Sequence, residues 1–162
     1  MMRTIEGTAS AAGFRFALVV SRYNDFVTDR LQAGAIAALT AAGAAEITVV
    51  RVPGAFEIPI AAQRSAQTGR FDAVLCLGCV VRGETPHFEY IASAVSHGIT
   101  SAAAASGVPM AFGVLTTNSV EEAIERAGEG SANKGWEAAV AAIEMVSVIA
   151  QLSAAAGPAS GA

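Results

Sequence analysis

Short apolar runs alternate with longer, alanine-rich segments of helical period along most of this chain, and that alternation restricts the fold more than any other feature. Phe14 to Val20 precedes a helical pattern from about Phe26 to Ala42, and Ile47 to Val52 precedes one from Glu57 to Gln67. Ala73 to Val81 leads into Thr85 to about Ser106, and Pro109 to Leu115 leads into Ser119 to Ala127 and then Gly135 to Leu152. Four strand-then-helix units predict a parallel sheet covered by helices on both faces and joined by right-handed crossovers, a doubly wound α/β domain. Ser119 with Glu122 makes a capping box, and Gly43, Gly69 and Gly107 each follow a helix.

The 162 residues fit one domain with a substantial core, placed at 14–152. Residues 153–162 have small side chains and no apolar period, which predicts a disordered tail. Residues 1–13 form an arm with two readings: it frays, or Thr4 to Thr8 adds a strand to a neighbouring subunit and covers a sheet edge. With a net charge of −4 and scattered lysines and arginines, the chain has no basic stripe for nucleic acid. No tract reads as long and apolar enough for a membrane, and no secretory signal opens the chain, so a soluble, cytoplasmic protein is expected.

Cys76 and Cys79 form a C-x-x-C within an apolar run that reads as a buried strand. An offset of three on a strand sends the two side chains to opposite faces, which disfavours a disulfide. No second Cys or His pair lies nearby to complete a metal site, so structural packing is the expected role.

Ligands of open α/β sheets bind outside the carboxyl ends of the strands, which selects four loops here. Arg82-Gly83-Glu84-Thr85-Pro86-His87 carries the most chemistry. Thr85 fits an N-cap, Pro86 suits the first helical position, and His87 then falls in the first turn, where unpaired N–H groups favour a phosphate and an imidazole can move protons. The bland alternative is a capped helix with a surface histidine. Phe26 either stacks on a flat heterocycle or staples its own helix. Beside Gly54, Glu57 either accepts hydrogen bonds from ligand hydroxyls or is simply an acidic residue of a first helical turn. Arg126 and Lys134 each read as a phosphate partner or as a cation near a helix terminus. Phe112, inside the fourth strand, reads as core more readily than as site.

Several long stretches, in order, carry a resemblance. They are Ser21-Arg22-Tyr23-Asn24 before Phe26, Pro53-Gly54-Ala55-Phe56-Glu57-Ile58-Pro59, Leu77 to Tyr90, Pro109 to Thr117, and Glu125-Arg126-Ala127-Gly128 with Asn133-Lys134-Gly135. From about Phe16 to Leu152 the chain resembles the lumazine synthase family of riboflavin biosynthesis. The resemblance implies a three-layer, flavodoxin-like domain with a four-stranded parallel sheet. It also implies a transferase that condenses 5-amino-6-(D-ribitylamino)uracil with 3,4-dihydroxy-2-butanone 4-phosphate, with no metal and no organic cofactor.

By that resemblance, Phe26 stacks on the pyrimidine and Ala55, Phe56 and Glu57 hold the ribityl chain. Cys79, Val80 and Val81 line the ring pocket, with Cys79 where many relatives carry threonine. Glu84 and Thr85 bind the phosphorylated substrate, His87 is the proton donor or acceptor, and Lys134 joins the substrate-binding set. Phe112 and Arg126 come from the adjacent subunit, in a homopentamer of which twelve copies close into an icosahedral shell in some relatives. The short linker Gly128 to Gly135 lacks the insertion that keeps other relatives pentameric and leans towards the shell. The competing reading is a non-catalytic flavin- or lumazine-binding or shell-forming relative. A generic nucleotide-binding domain is disfavoured by the lack of a G-x-G-x-x-G or P-loop motif.

Overall fold

A computed structural model describes residues 1–157 of the chain. The element order is β1 (Arg15–Ser21), α1 (Asp25–Ala41), β2 (Glu46–Val52), α2 (Ile58–Gln67), β3 (Ala73–Val81), α3 (His87–Ser106), β4 (Met110–Thr117), α4 (Val120–Arg126) and α5 (Lys134–Ala155). The strands form one parallel sheet in the order β2-β1-β3-β4. Side chains alternate across it, so two cores form. Phe16, Leu18, Leu75 and Leu77 pack with Leu31 of α1 and Ile143 of α5 on one face. Val19, Val74 and Cys76 pack with Ile58 of α2 and Val95 of α3 on the other. This is the expected three-layer, flavodoxin-like arrangement. β3 is buried over most of its length because both of its faces are covered, which is why it reads as a continuous apolar run.

Several local expectations change in the fold. Thr85 is not an N-cap: α3 starts at His87, Pro86 occupies the cap position, and the Pro86 carbonyl accepts from Glu89 N at 3.1 Å. Proline has no N–H to lose there, and its ring holds φ near the helical value, so the helix begins without a side-chain cap. At α4 the Ser119 hydroxyl does cap Glu122 N, at 3.2 Å, but the Glu122 carboxylate reaches back to Asn118 N, one residue before the cap. α5 runs to Ala155, past the expected start of the tail at Ser153, and residues 158–162 lie outside the described residues.

α5 also corrects the membrane expectation, since its 22 residues are long and apolar enough to cross one by length and composition. Its Ala139, Ala142, Ile143 and Val146 nevertheless pack into the domain core, so its apolar character belongs to a helix that covers the sheet. Phe112, expected in the core, is 50% exposed, because β4 is an edge strand with no neighbouring strand on its outer side. The arm touches its own chain at Glu6, Gly7 and Ala11. Ala11 N donates to the Ala42 carbonyl at 2.9 Å, Gln151 of α5 donates to the Glu6 carbonyl at 2.7 Å, and Gly7 sits against Glu144 so closely that a Cβ would not fit.

Candidate active site

The chain reverses direction across the sheet between β1 and β3, and the carboxyl ends of these two strands open a crevice at that switch point. A cavity of about 430 Å³ fills it. The loop after β1 supplies Tyr23 and Asn24, the turn after β2 supplies Gly54 to Glu57, and the end of β3 supplies Cys79 to Val81. Gly83, Thr85, His87, Phe88 and Ile91 complete it from the β3–α3 connection and the first turns of α3.

Three features shape this crevice. First, β3 outruns β1. Their ladder ends at Val20↔Leu77, whereas β3 continues pairing with β4 to Val81↔Thr117. Beyond Leu77 the β1-facing backbone of β3 is open, and Asn24 Nδ2 takes the Cys79 carbonyl at 2.9 Å. In a parallel ladder a residue points its N–H and C=O to the same side, so Val81, two residues on, directs both towards the cavity. Second, Asn24 has φ 62°, a left-handed conformation that asparagine tolerates better than most residues, and it lets the chain turn sharply from β1 into α1. Third, Glu57 Oε2 accepts from Gly54 N at 3.0 Å, closing the turn after β2 and fixing the carboxylate beside the cavity.

Burial raises the Cys79 thiol to about 11 and the Cys76 thiol to about 12, so both are protonated near neutrality and neither is a nucleophile. The two fall in opposite cores, as the strand offset predicts, and both are free. Among the described residues no three His, Cys, Asp or Glu side chains cluster as a metal site.

Of the residues singled out from sequence, Ala55, Phe56, Glu57, Cys79, Val80, Val81, Thr85 and His87 meet at this cavity. Phe26, 46% exposed at the start of α1, and Glu84, exposed in the loop, do not line it. Phe112 and Lys134 instead line a separate cavity of about 250 Å³ beside the β4 edge. Arg126 turns onto its own helix, donating to the Glu122 carbonyl at 3.1 Å. Lys134 is the first residue of α5, the unfavourable end of a helix for a cation, and Glu137 pairs with it at 2.7 Å. Tyr23, Asn24, Gly83 and Phe88 line the cavity from motifs named above in which they had no individual role, and Ile91 lies just past the Leu77 to Tyr90 stretch. For Asn24, its place just after an apolar strand was the available signal.

A family profile described as 6,7-dimethyl-8-ribityllumazine synthase matches residues 13–150. The chain belongs to the lumazine synthase family. A protein of that name from Desulfatibacillum aliphaticivorans is 52% identical over 153 residues, covering 93% of this chain and 99% of its own length. Another, from Syntrophus aciditrophicus (strain SB), is 54% identical over 154 residues, covering 94% of this chain and all of its own. Membership of the lumazine synthase family makes the chain a transferase of riboflavin biosynthesis and leaves the non-catalytic alternative unfavoured.

Proposed function

We propose that the chain condenses 5-amino-6-(D-ribitylamino)uracil with 3,4-dihydroxy-2-butanone 4-phosphate to give 6,7-dimethyl-8-ribityllumazine, phosphate and water, the penultimate step of riboflavin biosynthesis. The observation that carries this reading is the convergence on one cavity of a polar backbone edge at Val81, the Glu57 carboxylate and the His87 imidazole. The open N–H and C=O of Val81 suit the donor and acceptor edge of a pyrimidine. Glu57, already fixed by Gly54 N, offers carboxylate oxygen to the ribityl hydroxyls, with Ala55 and Phe56 along the chain. Val80 and Cys79 form the floor, and Phe26, exposed at the mouth of α1, stacks on the ring from outside.

The phosphate belongs at Gly83 to Thr85, ahead of α3, whose first N–H groups point back towards this loop and favour an anion. Glu84 and Thr85 shape that end. His87 moves the protons of imine formation, phosphate elimination and ring closure. Holding two substrates in register supplies more of the acceleration than this one acid–base group.

Phe112, Arg126 and Lys134 serve the cavity of an adjacent subunit in this proposal. Their own chain's cavity is lined without them, and Phe112 and Lys134 lie together at an unpaired sheet edge. The assembly is a homopentamer that closes into a shell, in the cytoplasm. A coupled assay with both substrates, following lumazine absorbance and released phosphate, tests the reaction: equal yields of the two above the uncatalysed rate support it, and no acceleration by folded protein rejects it. Mixing His87→Ala with Arg126→Ala subunits tests the shared site, since mixed oligomers then regain more activity than either variant shows alone. Native mass measurement tests the assembly.

A further inference from the structure

Arg82 closes the phosphate-side loop from outside the cavity. Its backbone N donates to the Thr117 carbonyl at 2.8 Å, carrying the β3–β4 pairing one residue past β3. Its guanidinium lies 4.9 Å from the centre of the Phe88 ring. Nε donates to Asn118 Oδ1 at 3.0 Å, and one terminal nitrogen meets Glu89 at 3.4 Å. Asn118 is tied in turn to α4, through its N–H and the Glu122 carboxylate. One planar side chain therefore joins the end of β3, the first turn of α3 and the loop after β4.

The connection it spans has little else to hold it. Among the described residues, no hydrogen bond involves Gly83, Glu84 or Thr85, and Pro86 contributes only its carbonyl to the start of α3. His87 follows directly, and Phe88, under the guanidinium, is itself a wall of the cavity. Each contact is partly exposed, and an exposed ion pair alone contributes little to stability. Three contacts from one rigid fork nonetheless restrict direction, which matters more to a proton-transfer group than to the fold.

We infer that Arg82 is a positioning residue: its guanidinium, stacked on Phe88 and held by Asn118 and Glu89, sets the first turn of α3, and so His87, against the cavity. This rests on the proposed lumazine synthase reaction. The full-length protein in its native assembly is compared with Arg82→Ala, Arg82→Lys and Asn118→Ala, alone and each combined with His87→Ala. Arg82→Ala is expected to lower kcat about tenfold while KM for the phosphorylated substrate stays within about twofold. Lysine is expected not to rescue, since an ammonium cannot lie flat on the ring and still reach Asn118.

In the background of His87→Ala the Arg82 substitution is expected to cost almost nothing further, because both changes remove the same act. Losses that multiply, or a raised KM with unchanged kcat, overturn the proposal, the latter by making Arg82 a phosphate ligand. Hydrogen exchange supplies a readout without turnover. Arg82→Ala should speed exchange in residues 83–91 and leave the rest of α3 as it was, and unchanged exchange there also overturns the proposal. Should Arg82→Ala fail to fold, Asn118→Ala, which keeps the arginine and removes one of its anchors, carries both tests with smaller expected effects in the same directions. If the unaltered protein makes no lumazine, the reaction reading falls and hydrogen exchange still decides the clamp.

Discussion

Asn24 and Cys79 meet across the switch point of the sheet: the Asn24 side-chain amide donates to the Cys79 carbonyl at 2.9 Å. This bond bridges the loop after β1 to the last residues of β3, where the two strands no longer pair. Asn24→Ala removes the bond and puts a Cβ-bearing residue without a polar side chain into the left-handed region. We expect a loss of about 2 kcal/mol from the two effects together. Asn24→Gly removes only the bond, so its midpoint in urea should lie between those of the original chain and Asn24→Ala. Equal midpoints for the two variants would show that backbone strain plays no part.

His87 is exposed at the first residue of α3, and it lines the cavity without helping to hold the fold together. His87→Ala should therefore leave the assembly and the melting curve essentially unchanged and slow turnover by roughly tens to hundreds-fold. Complete loss of activity in a folded, assembled variant would contradict the view that positioning dominates.

Gly135 marks where α5 meets α1. An added Cβ would collide with the Leu31 carbonyl, a backbone atom with no freedom to move aside. Asn133 Oδ1 accepts from Gly135 N at 2.8 Å, while its amide donates to the carbonyls of Arg30 and Gly128 at 3.0 and 2.8 Å. Gly135→Ala should cost about 3 kcal/mol or more, or prevent folding, as overpacking at a rigid junction does. Gly83→Ala, where a Cβ meets open space, should fold normally, with a melting point within a few degrees of the original.

The two thiols predict an alkaline limit. Burial raises both above their unfolded values, so the folded state favours the protonated thiols. Their contribution to stability is fully present below the unfolded thiol range, near 8.5, and is lost as pH rises through about 11 for Cys79 and about 12 for Cys76. Urea midpoints measured from pH 8 to 11 should fall less steeply for a Cys76→Ala, Cys79→Ala double variant than for the original chain. Iodoacetamide at pH 8 should label both residues in urea and neither in the folded protein; rapid labelling of native Cys79 would be inconsistent with its burial.

Much of the secondary structure was legible because its signals are local. β3 runs from Ala73 to Val81 as its apolar run predicts, and the three-residue offset correctly sends Cys76 and Cys79 to different cores. Failures came where a local signal met a competing one. Thr85 has the chemistry of an N-cap, but Pro86 can start a helix unaided and took that position. The small residues after Leu152 read as a tail, although alanine is a strong helix former, and α5 continues through Ala155. Arg82 reads as an ordinary loop cation because its partners, Phe88, Glu89 and Asn118, become neighbours only when β3, α3 and β4 are assembled.

By itself the sequence determined the class of fold, the loops that carry chemistry and, through its long ordered motifs, the family. These depend on periodicity and on residue order, which survive without coordinates. Only the tertiary structure decided which residues meet. The order β2-β1-β3-β4 brings Glu57 and His87 to one crevice, the early end of β1 exposes the backbone of Val81, and the edge position of β4 leaves Phe112 half exposed. Strand order and ladder length follow from packing between segments far apart in the chain, so no local pattern of residues contains them.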